Sequence, residues 1–88
     1  MSVTTWSKTQ IRSARKALLK PLLLARGRSL NQIDEYNWCV ADYRDLIIKD
    51  NYWRWKSTAQ NGNTIDYFMI VEGMSFNQAM QVITSALP

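Results

Sequence analysis

The stretch DLIIKDNYWRWK, residues 45–56, is the most informative part of the sequence, because two runs of β-prone residues flank the pair Asp50-Asn51. Both residues of this pair tolerate the positive φ of a tight turn, so the stretch predicts a hairpin with Lys49 opposite Tyr52 and Ile48 opposite Trp53. Side chains alternate between the two faces of a strand. One face is therefore an apolar core face, made of Leu46, Ile48, Trp53 and Trp55. The other face is half basic and carries an aromatic ring; it consists of Ile47, Lys49, Tyr52, Arg54 and Lys56.

Two more β-prone stretches precede the hairpin, at Leu30–Ile33 and Tyr36–Val40. Because short β-prone runs separated by polar turns are typical of antiparallel sheets, residues 29–57 predict a small antiparallel β-sheet.

Helical periodicity dominates residues 1–28. An apolar stripe recurs there at helical spacing, formed by Ile11, Ala14, Leu18, Leu22 and Ala25. Ser7 or Thr5 can cap the start of this helix, and Gly27 is a natural stop. Pro21 lacks the N–H that a helix interior needs. The sequence therefore predicts either a kink at Pro21 or a break at which Pro21 opens a second short helix.

Residues 62–87 predict two further helices. Asn61-Gly62-Asn63 ends the hairpin region and can cap a helix from about Thr64 to Val71, whose inward side chains are predicted to be Ile65, Phe68 and Met69. Ser75 and Gln78 form a capping-box pattern ahead of a helix from Phe76 to about Ala86. The predicted inward side chains of that helix are Phe76, Ala79, Met80 and Ile83. The order predicts one α+β domain over residues 1–88, a small antiparallel sheet flanked by an N-terminal helix and two C-terminal helices.

The positive charge is concentrated at the start of the chain. Residues 1–28 hold seven of the eleven Lys and Arg side chains and no acid, namely Lys8, Arg12, Arg15, Lys16, Lys20, Arg26 and Arg28. Such asymmetry favours polyanionic partners. Lys8, Arg12, Lys16 and Lys20 recur every four residues on one helix face, and with Arg15 they could follow a phosphate backbone. An ordinary solubilising helix face explains the same pattern equally well.

Composition excludes several classes of protein. A hydrophobic fraction of 47% with 20% charged residues argues against disorder. The single cysteine, Cys39, excludes an internal disulfide, and without any histidine it leaves too few ligands for a structural zinc site. No apolar run approaches the roughly 20 residues of a membrane helix, and residues 1–7 show no secretory signal. These features predict a cytoplasmic protein without a cofactor.

No catalytic residue is expected. Cys39 has no histidine to activate it, and its ordinary interpretation is a small buried side chain. Surface turns and a first-turn helix position account for the carboxylates Asp42, Asp45 and Asp66. Since neither a nucleophile–base pair nor a metal constellation is visible, the chain is predicted not to be an enzyme and to have no small-molecule substrate.

The C-terminal half carries a resemblance. It reads YWRWK at 52–56, NGNTIDYFM at 61–69, EGMSF at 72–76 and NQAM at 77–80. This order resembles the second half of the zinc-binding domain of bacterial-type DNA primases, closely over residues 52–83 and diffusely over 17–51. Arg54 and Ser57 stand where that family has its second Cys pair, and Cys39 has no partner, so the likeness is to zinc-free forms found in plasmid and phage priming and mobilisation proteins.

The resemblance implies a zinc-ribbon-like sheet without zinc, in which Trp38, Trp53 and Trp55 supply a substitute core. It also implies a non-catalytic module that contacts single-stranded DNA through its sheet. Lys49, Tyr52, Arg54 and Lys56 have the composition of such a platform, since bases stack on an aromatic ring while cations hold phosphates. The alternative for these four residues is a solvated strand face with Tyr52 partly covered by the first helix.

Two functions follow from these observations. The first is DNA binding in replication, priming or mobilisation of a plasmid- or phage-type element, with a primase, helicase or relaxase as a possible partner. The second is a protein-interaction adaptor or inhibitor that docks on a primase, helicase or nuclease.

Overall fold

The computed structural model describes residues 6–86. Its helices are α1 (Lys8–Lys16), α2 (Leu19–Ala25), α3 (Thr64–Asp66) and α4 (Phe76–Ala86), and its strands are β1 (Leu30–Gln32), β2 (Trp38–Val40), β3 (Leu46–Lys49), β4 (Tyr52–Trp55) and β5 (Gln60–Asn63). A 3-10 turn at Lys56–Thr58 joins β4 to β5, and a π-helical turn at Tyr67–Val71 continues α3. The predicted α+β class is confirmed. In the sequence, α1 and α2 precede an antiparallel sheet, and α3 and α4 follow it.

The N-terminal helix is broken, as one of the two predicted alternatives requires, but the break precedes Pro21. Ser7 caps α1 with a full capping box, in which its hydroxyl accepts from the Gln10 N–H. Ala17 and Leu18 then take extended backbone angles before α2 begins at Leu19. Pro21 falls in the first turn of α2, where its missing N–H has no intrahelical partner to lose. The other predicted cap residue, Thr5, lies outside the described residues.

The break is tolerated because other elements bond the backbone groups that it leaves free. The Leu19 N–H donates to the Asp50 carbonyl at 2.9 Å. The Arg15 carbonyl accepts from the Asn51 side-chain amide at 2.9 Å, and the Ala17 carbonyl accepts from the buried Thr64 hydroxyl. The turn between β3 and β4 therefore holds the end of α1 and the start of α2 in place.

All five strands are antiparallel and lie in chain order, β1-β2-β3-β4-β5. The predicted register is confirmed: Lys49 pairs with Tyr52, and Ile48 pairs with Trp53. Asp50 takes the positive φ of the tight turn, at 51°.

The prediction that the sheet ends at residue 57 is wrong, because β5 adds a fifth strand along the free edge of β4. Its sequence, Gln-Asn-Gly-Asn, is poor in β-prone residues. Pairing with β4 and a hydrogen bond from the Trp53 indole N–H to the Asn63 carbonyl at 2.8 Å hold it instead. Asn63 then caps α3, as predicted.

The turn into β5 contains a strained residue. Ala59 has a φ of 56°, a left-handed conformation that an L side chain disfavours. Ala59→Gly is therefore expected to raise the free energy of unfolding by about 0.5–1 kcal/mol, since the relief of strain exceeds the added entropy of the unfolded chain. Urea denaturation measures the change; Lys56→Gly, at an exposed residue of the same turn without a positive φ, is the control and is expected to destabilise. A lower denaturation midpoint for Ala59→Gly would contradict the expectation.

The core lies between one face of the sheet and the helices. It contains the predicted hairpin residues Leu46, Ile48 and Trp53, with side chains of α2 and α4 packed over them. The predicted burial of Ile65, Phe68, Ala79, Met80 and Ile83 is confirmed.

The predicted burial of Met69 and Phe76 is wrong, since each residue is 37% exposed. The chain beyond Asp66 winds as a π-helical turn, which rotates later side chains away from the α-helical register. Tyr67 consequently occupies the core in place of Met69. Phe76 is the first residue of α4, and the buried residues of this helix begin only at Ala79.

The three tryptophans predicted to form a substitute core differ in burial. Trp53 is fully buried and packs edge-on against Tyr67. Trp55 and Trp38 are only partly buried at the rim. The indole N–H of Trp55 donates to the Arg44 carbonyl at 2.9 Å, which anchors the loop before β3. Trp53 alone of the three is a true core residue.

Candidate nucleic-acid interface

The strand face that points away from the helices is exposed; we call it the open face. It carries Lys49, Tyr52 and Arg54, which the sequence placed together, with Ile47 directly opposite Arg54. Tyr52 is 48% exposed, so about half of its surface is open to solvent. Strand alternation produces this arrangement, because the neighbours of these residues, Ile48 and Trp53, point into the core.

A groove of about 350 Å³ crosses the open face, and we call it the sheet groove. All four predicted sheet-site residues line it, together with four others; the full set is Ile33, Asp34, Asn37, Ile47, Lys49, Tyr52, Arg54 and Lys56. Lys56 reaches the groove from the 3-10 turn rather than from β4. The structure therefore brings the predicted aromatic ring and three cations into one concave surface.

Sequence reasoning missed Ile33, Asp34 and Asn37, which the loop between β1 and β2 contributes. One Asp34 carboxylate oxygen accepts the backbone N–H groups of Tyr36 and Asn37, each at 2.9 Å. The Asn37 side-chain amide donates to the other oxygen at 2.9 Å, and the Ile33 N–H donates to the Asn37 carbonyl at 2.9 Å. An aspartate followed by an asparagine three positions later is typical of such a turn. The neighbouring residues do not indicate, however, that this turn lines a groove together with the hairpin.

The charges of the sheet groove are unequal. The Asn37 side chain and then the Tyr36 backbone N–H hold the pKa of the Asp34 carboxyl below its ordinary value, and Lys49 adds to this effect. Asp34 therefore stays negative throughout the neutral pH range. Within residues 6–86, Lys49, Arg54 and Lys56 form no salt bridge, so their charges remain available to an anion. Three cations thus face one carboxylate.

The predicted helix site does not share the open face. Arg12, Arg15 and Lys16 are exposed on α1, which packs against α3 and α4. Lys20 is separated from them by the break and lies on α2, where its ammonium group is 3.8 Å from the centre of the Trp38 ring. The predicted face of four cations at four-residue spacing is therefore wrong at Lys20, because the helix does not continue through Leu18.

Two further cations of the N-terminal third, Arg26 and Arg28, form salt bridges within the domain. Glu72, whose side chain is only 4% exposed, lies 3.4 Å from the Arg28 guanidinium and 3.8 Å from that of Arg26. Arg28 also contacts Asp42 at 3.0 Å. Hydrogen bonds to Glu72 and then to Asp42 raise the pKa of Arg28 above its ordinary value. Loss of Arg28 would leave the Glu72 carboxylate buried with less opposing charge, which is destabilising.

Asp66 lies in the first turn of α3, and Asp42 and Asp45 lie in turns between β2 and β3, as predicted. Asp45 accepts from the Ser57 hydroxyl at 2.8 Å, and Asp66 accepts from the Asn63 N–H at 3.1 Å as part of the α3 cap. Across residues 6–86, no three His, Cys, Asp or Glu residues lie close enough to hold a metal ion. Arg54 and Ser57, which the resemblance aligns with a Cys pair, are a guanidinium and a bonded hydroxyl, so these positions do not fit zinc. Cys39 is only partly buried and pairs with Ile47 across the sheet.

In the part of the chain from Trp6 to Ala86, no helix has the length and apolar character needed to span a bilayer. The likeness to the primase zinc-binding domain rests on the quoted residues and stays a prediction, since comparison of the chain with models of protein families, with curated proteins and with solved structures found no match.

Proposed function

We propose that this chain is a non-catalytic module that binds single-stranded DNA in the sheet groove. One observation carries the proposal: an exposed aromatic ring, Tyr52, lies in a groove with three cations, Lys49, Arg54 and Lys56, that form no salt bridge within residues 6–86. A ring and cations in one groove are the two components of single-strand binding, because a base can stack on the ring while its phosphates meet the cations.

The position of Asp34 indicates which side of the sheet groove the phosphates would occupy. Its carboxylate stays negative near neutral pH, so the phosphates are expected to lie on the β4 side, along Arg54 and Lys56, away from Asp34. Tyr52 lies two positions before Arg54 on β4, and Lys56 follows in the 3-10 turn. A duplex keeps its bases stacked on one another and cannot place one on Tyr52, so we expect single strands to be preferred.

The biological setting is proposed from the resemblance. In it, the module would act in the cytoplasm during replication, priming or mobilisation of a plasmid- or phage-type element, beside a primase, helicase or relaxase. It would position a strand for another protein and carry out no chemistry itself.

Replacement of the Tyr52 ring tests the proposal. Tyr52→Ala is expected to weaken binding of a short oligothymidine about fivefold, because a stacked base contributes about 1 kcal/mol or more. Tyr52→Phe keeps the ring and is expected to bind as the wild type does. Fluorescence anisotropy at low salt measures both affinities.

Leu24→Ala is the control, since Leu24 is also a large side chain about half exposed but does not line the sheet groove. A wild-type chain that binds no oligonucleotide at low salt would refute the proposal. Equal losses for Leu24→Ala and Tyr52→Ala would refute the place assigned to the site.

A second candidate function, docking on a protein, is favoured by a different surface. Grooves of about 220 and 530 Å³ lie along α2 and the end of α4, lined mainly by apolar side chains of Leu18, Pro21, Leu22 and Val82. Leu18 and Leu24 on α2 are both about half exposed. Two results together would favour this function over the first. The wild type would bind a protein partner that Leu18→Asp does not bind, and the wild type would bind no oligonucleotide.

A further inference from the structure

A second groove, of about 400 Å³, begins where the open face ends; we call it the α1–α4 groove. It is lined by Arg15, Asn63, Ile65, Asp66, Met69 and Phe76. Asn63 pairs with Tyr52 across β4 and β5, so the two grooves approach each other at this pair of residues. The Asn51 side chain, next to Tyr52 in the chain, is bonded to the Arg15 carbonyl at 2.9 Å. The hydrogen bond from Asn51 and the cavity that Arg15 lines together with Asn63 thus place Arg15 near the Tyr52 end of the sheet groove.

The α1–α4 groove also combines an aromatic ring with a cation, but it holds one cation and one carboxylate, Asp66. Phe76 supplies an aromatic ring and Arg15 a cation, as Tyr52 and Arg54 do on the sheet. Phe76 and Met69 are the two residues that the sequence pattern places in the core but the fold leaves 37% exposed. Arg15 is exposed and forms no salt bridge within residues 6–86, and Asp66 in the same groove is bonded to the Asn63 N–H.

A phosphate backbone that left Tyr52 could instead pass the Asp50-Asn51 turn on the side of Lys20, but that side is less favourable to an anion. On that side, Lys20 shares a cavity with two carboxylates, Glu35 and Asp50, and its ammonium group lies over the Trp38 ring. Charge therefore favours the Arg15 side for a phosphate backbone that leaves Tyr52.

We propose that the α1–α4 groove is a second nucleotide subsite, which takes a base and a phosphate of the same strand that occupies the sheet groove. This inference rests on the proposed function, because it extends the path of that strand. The strand passes from Lys56 and Arg54 over Tyr52, crosses the sheet edge at Asn63, and places a later base against Phe76 with its phosphate at Arg15.

Oligonucleotide length separates the two subsites. The probes are oligothymidines of about 4 and about 12 nucleotides, a range that covers the site sizes of small sheet-based modules. Arg15→Gln/Phe76→Leu removes the charge and the ring but keeps the helix propensity of residue 15 and an apolar side chain at residue 76. This variant is expected to bind the longer probe about fivefold more weakly and the shorter probe as the wild type does.

The controls keep the result interpretable. Arg44→Gln removes an exposed cation that lines neither groove, and it is expected to leave both affinities unchanged. Arg15→Gln alone changes only an exposed side chain, so it serves if the double variant fails to fold. Equal losses for both probes, or no loss for the longer probe, would overturn the second subsite while leaving the sheet groove intact. A wild-type chain that binds neither probe would overturn the proposed function and the subsite with it.

Discussion

A chain that carries Arg54→Ala and Lys56→Ala is expected to bind a single-stranded oligonucleotide roughly 10- to 50-fold more weakly than the wild type at about 50 mM salt. Both cations line the sheet groove, and neither forms a salt bridge within the described residues 6–86. Each phosphate contact on a single strand releases about 0.7 counterion, so the slope of log affinity against log salt should fall by about 1.4. Anisotropy titrations at three or more salt concentrations measure both quantities.

The matched control removes the same net charge elsewhere. Lys8→Ala/Arg44→Ala also takes away two exposed cations, and neither of them lines the sheet groove. If the control weakens binding as much as Arg54→Ala/Lys56→Ala does, overall charge or the cations of α1, and not the sheet groove, account for the affinity. An unchanged salt slope in the groove variant would show that Arg54 and Lys56 do not contact phosphates.

Trp53→Ala is expected to lower the free energy of unfolding by about 3–5 kcal/mol, the largest stability effect of any single change considered. The indole is fully buried between β3, β5 and Tyr67, so its removal leaves a cavity. The change also removes the hydrogen bond that the indole N–H donates to the Asn63 carbonyl. Since small domains are stable by only about 5–15 kcal/mol, much of the chain should unfold at moderate urea concentrations.

Trp55→Ala is the informative comparison for Trp53→Ala. Trp55 lies on the same strand, also donates its indole N–H to a backbone carbonyl, and is only partly buried. Its loss should therefore destabilise the protein clearly less, by about 1–2 kcal/mol. Equal effects of the two substitutions in urea denaturation would contradict the view that Trp53 is the central packing residue of this sheet.

Local patterns were sufficient for much of the fold. The hairpin register follows from Asp50-Asn51 and from the two-residue repeat of strands, and the structure reproduces it. The capping residues Ser7 and Ser75 also act as predicted, because a cap bonds backbone groups only three positions away. The open-face residues Lys49, Tyr52 and Arg54 were also placed correctly, because side chains alternate between the two faces of a strand.

Non-local contacts decided what those patterns missed. The strand β5 exists because β4 offers it a partner, and its own residues show no β preference. The position of the helix break depends on the Asp50 carbonyl and the Asn51 amide, which lie more than thirty positions along the chain from the helix ends that they bond. Asp34 and Asn37 join the sheet groove only because β1 and β2 fold beside β3.

By itself, the sequence determined the α+β class, the hairpin and the identity of the residues on its open face, because each of these depends on periodicity and turn chemistry within a short stretch. The tertiary structure alone decided which cations remain unpaired and which rings stay exposed. Arg28 looks like Arg15 in the sequence, yet Arg28 is held by the buried Glu72, while Arg15 is left beside Phe76 at the edge of the sheet. The physical reason is that a salt bridge or a buried ring needs a partner brought close by the fold, and no local repeat encodes the distance to that partner.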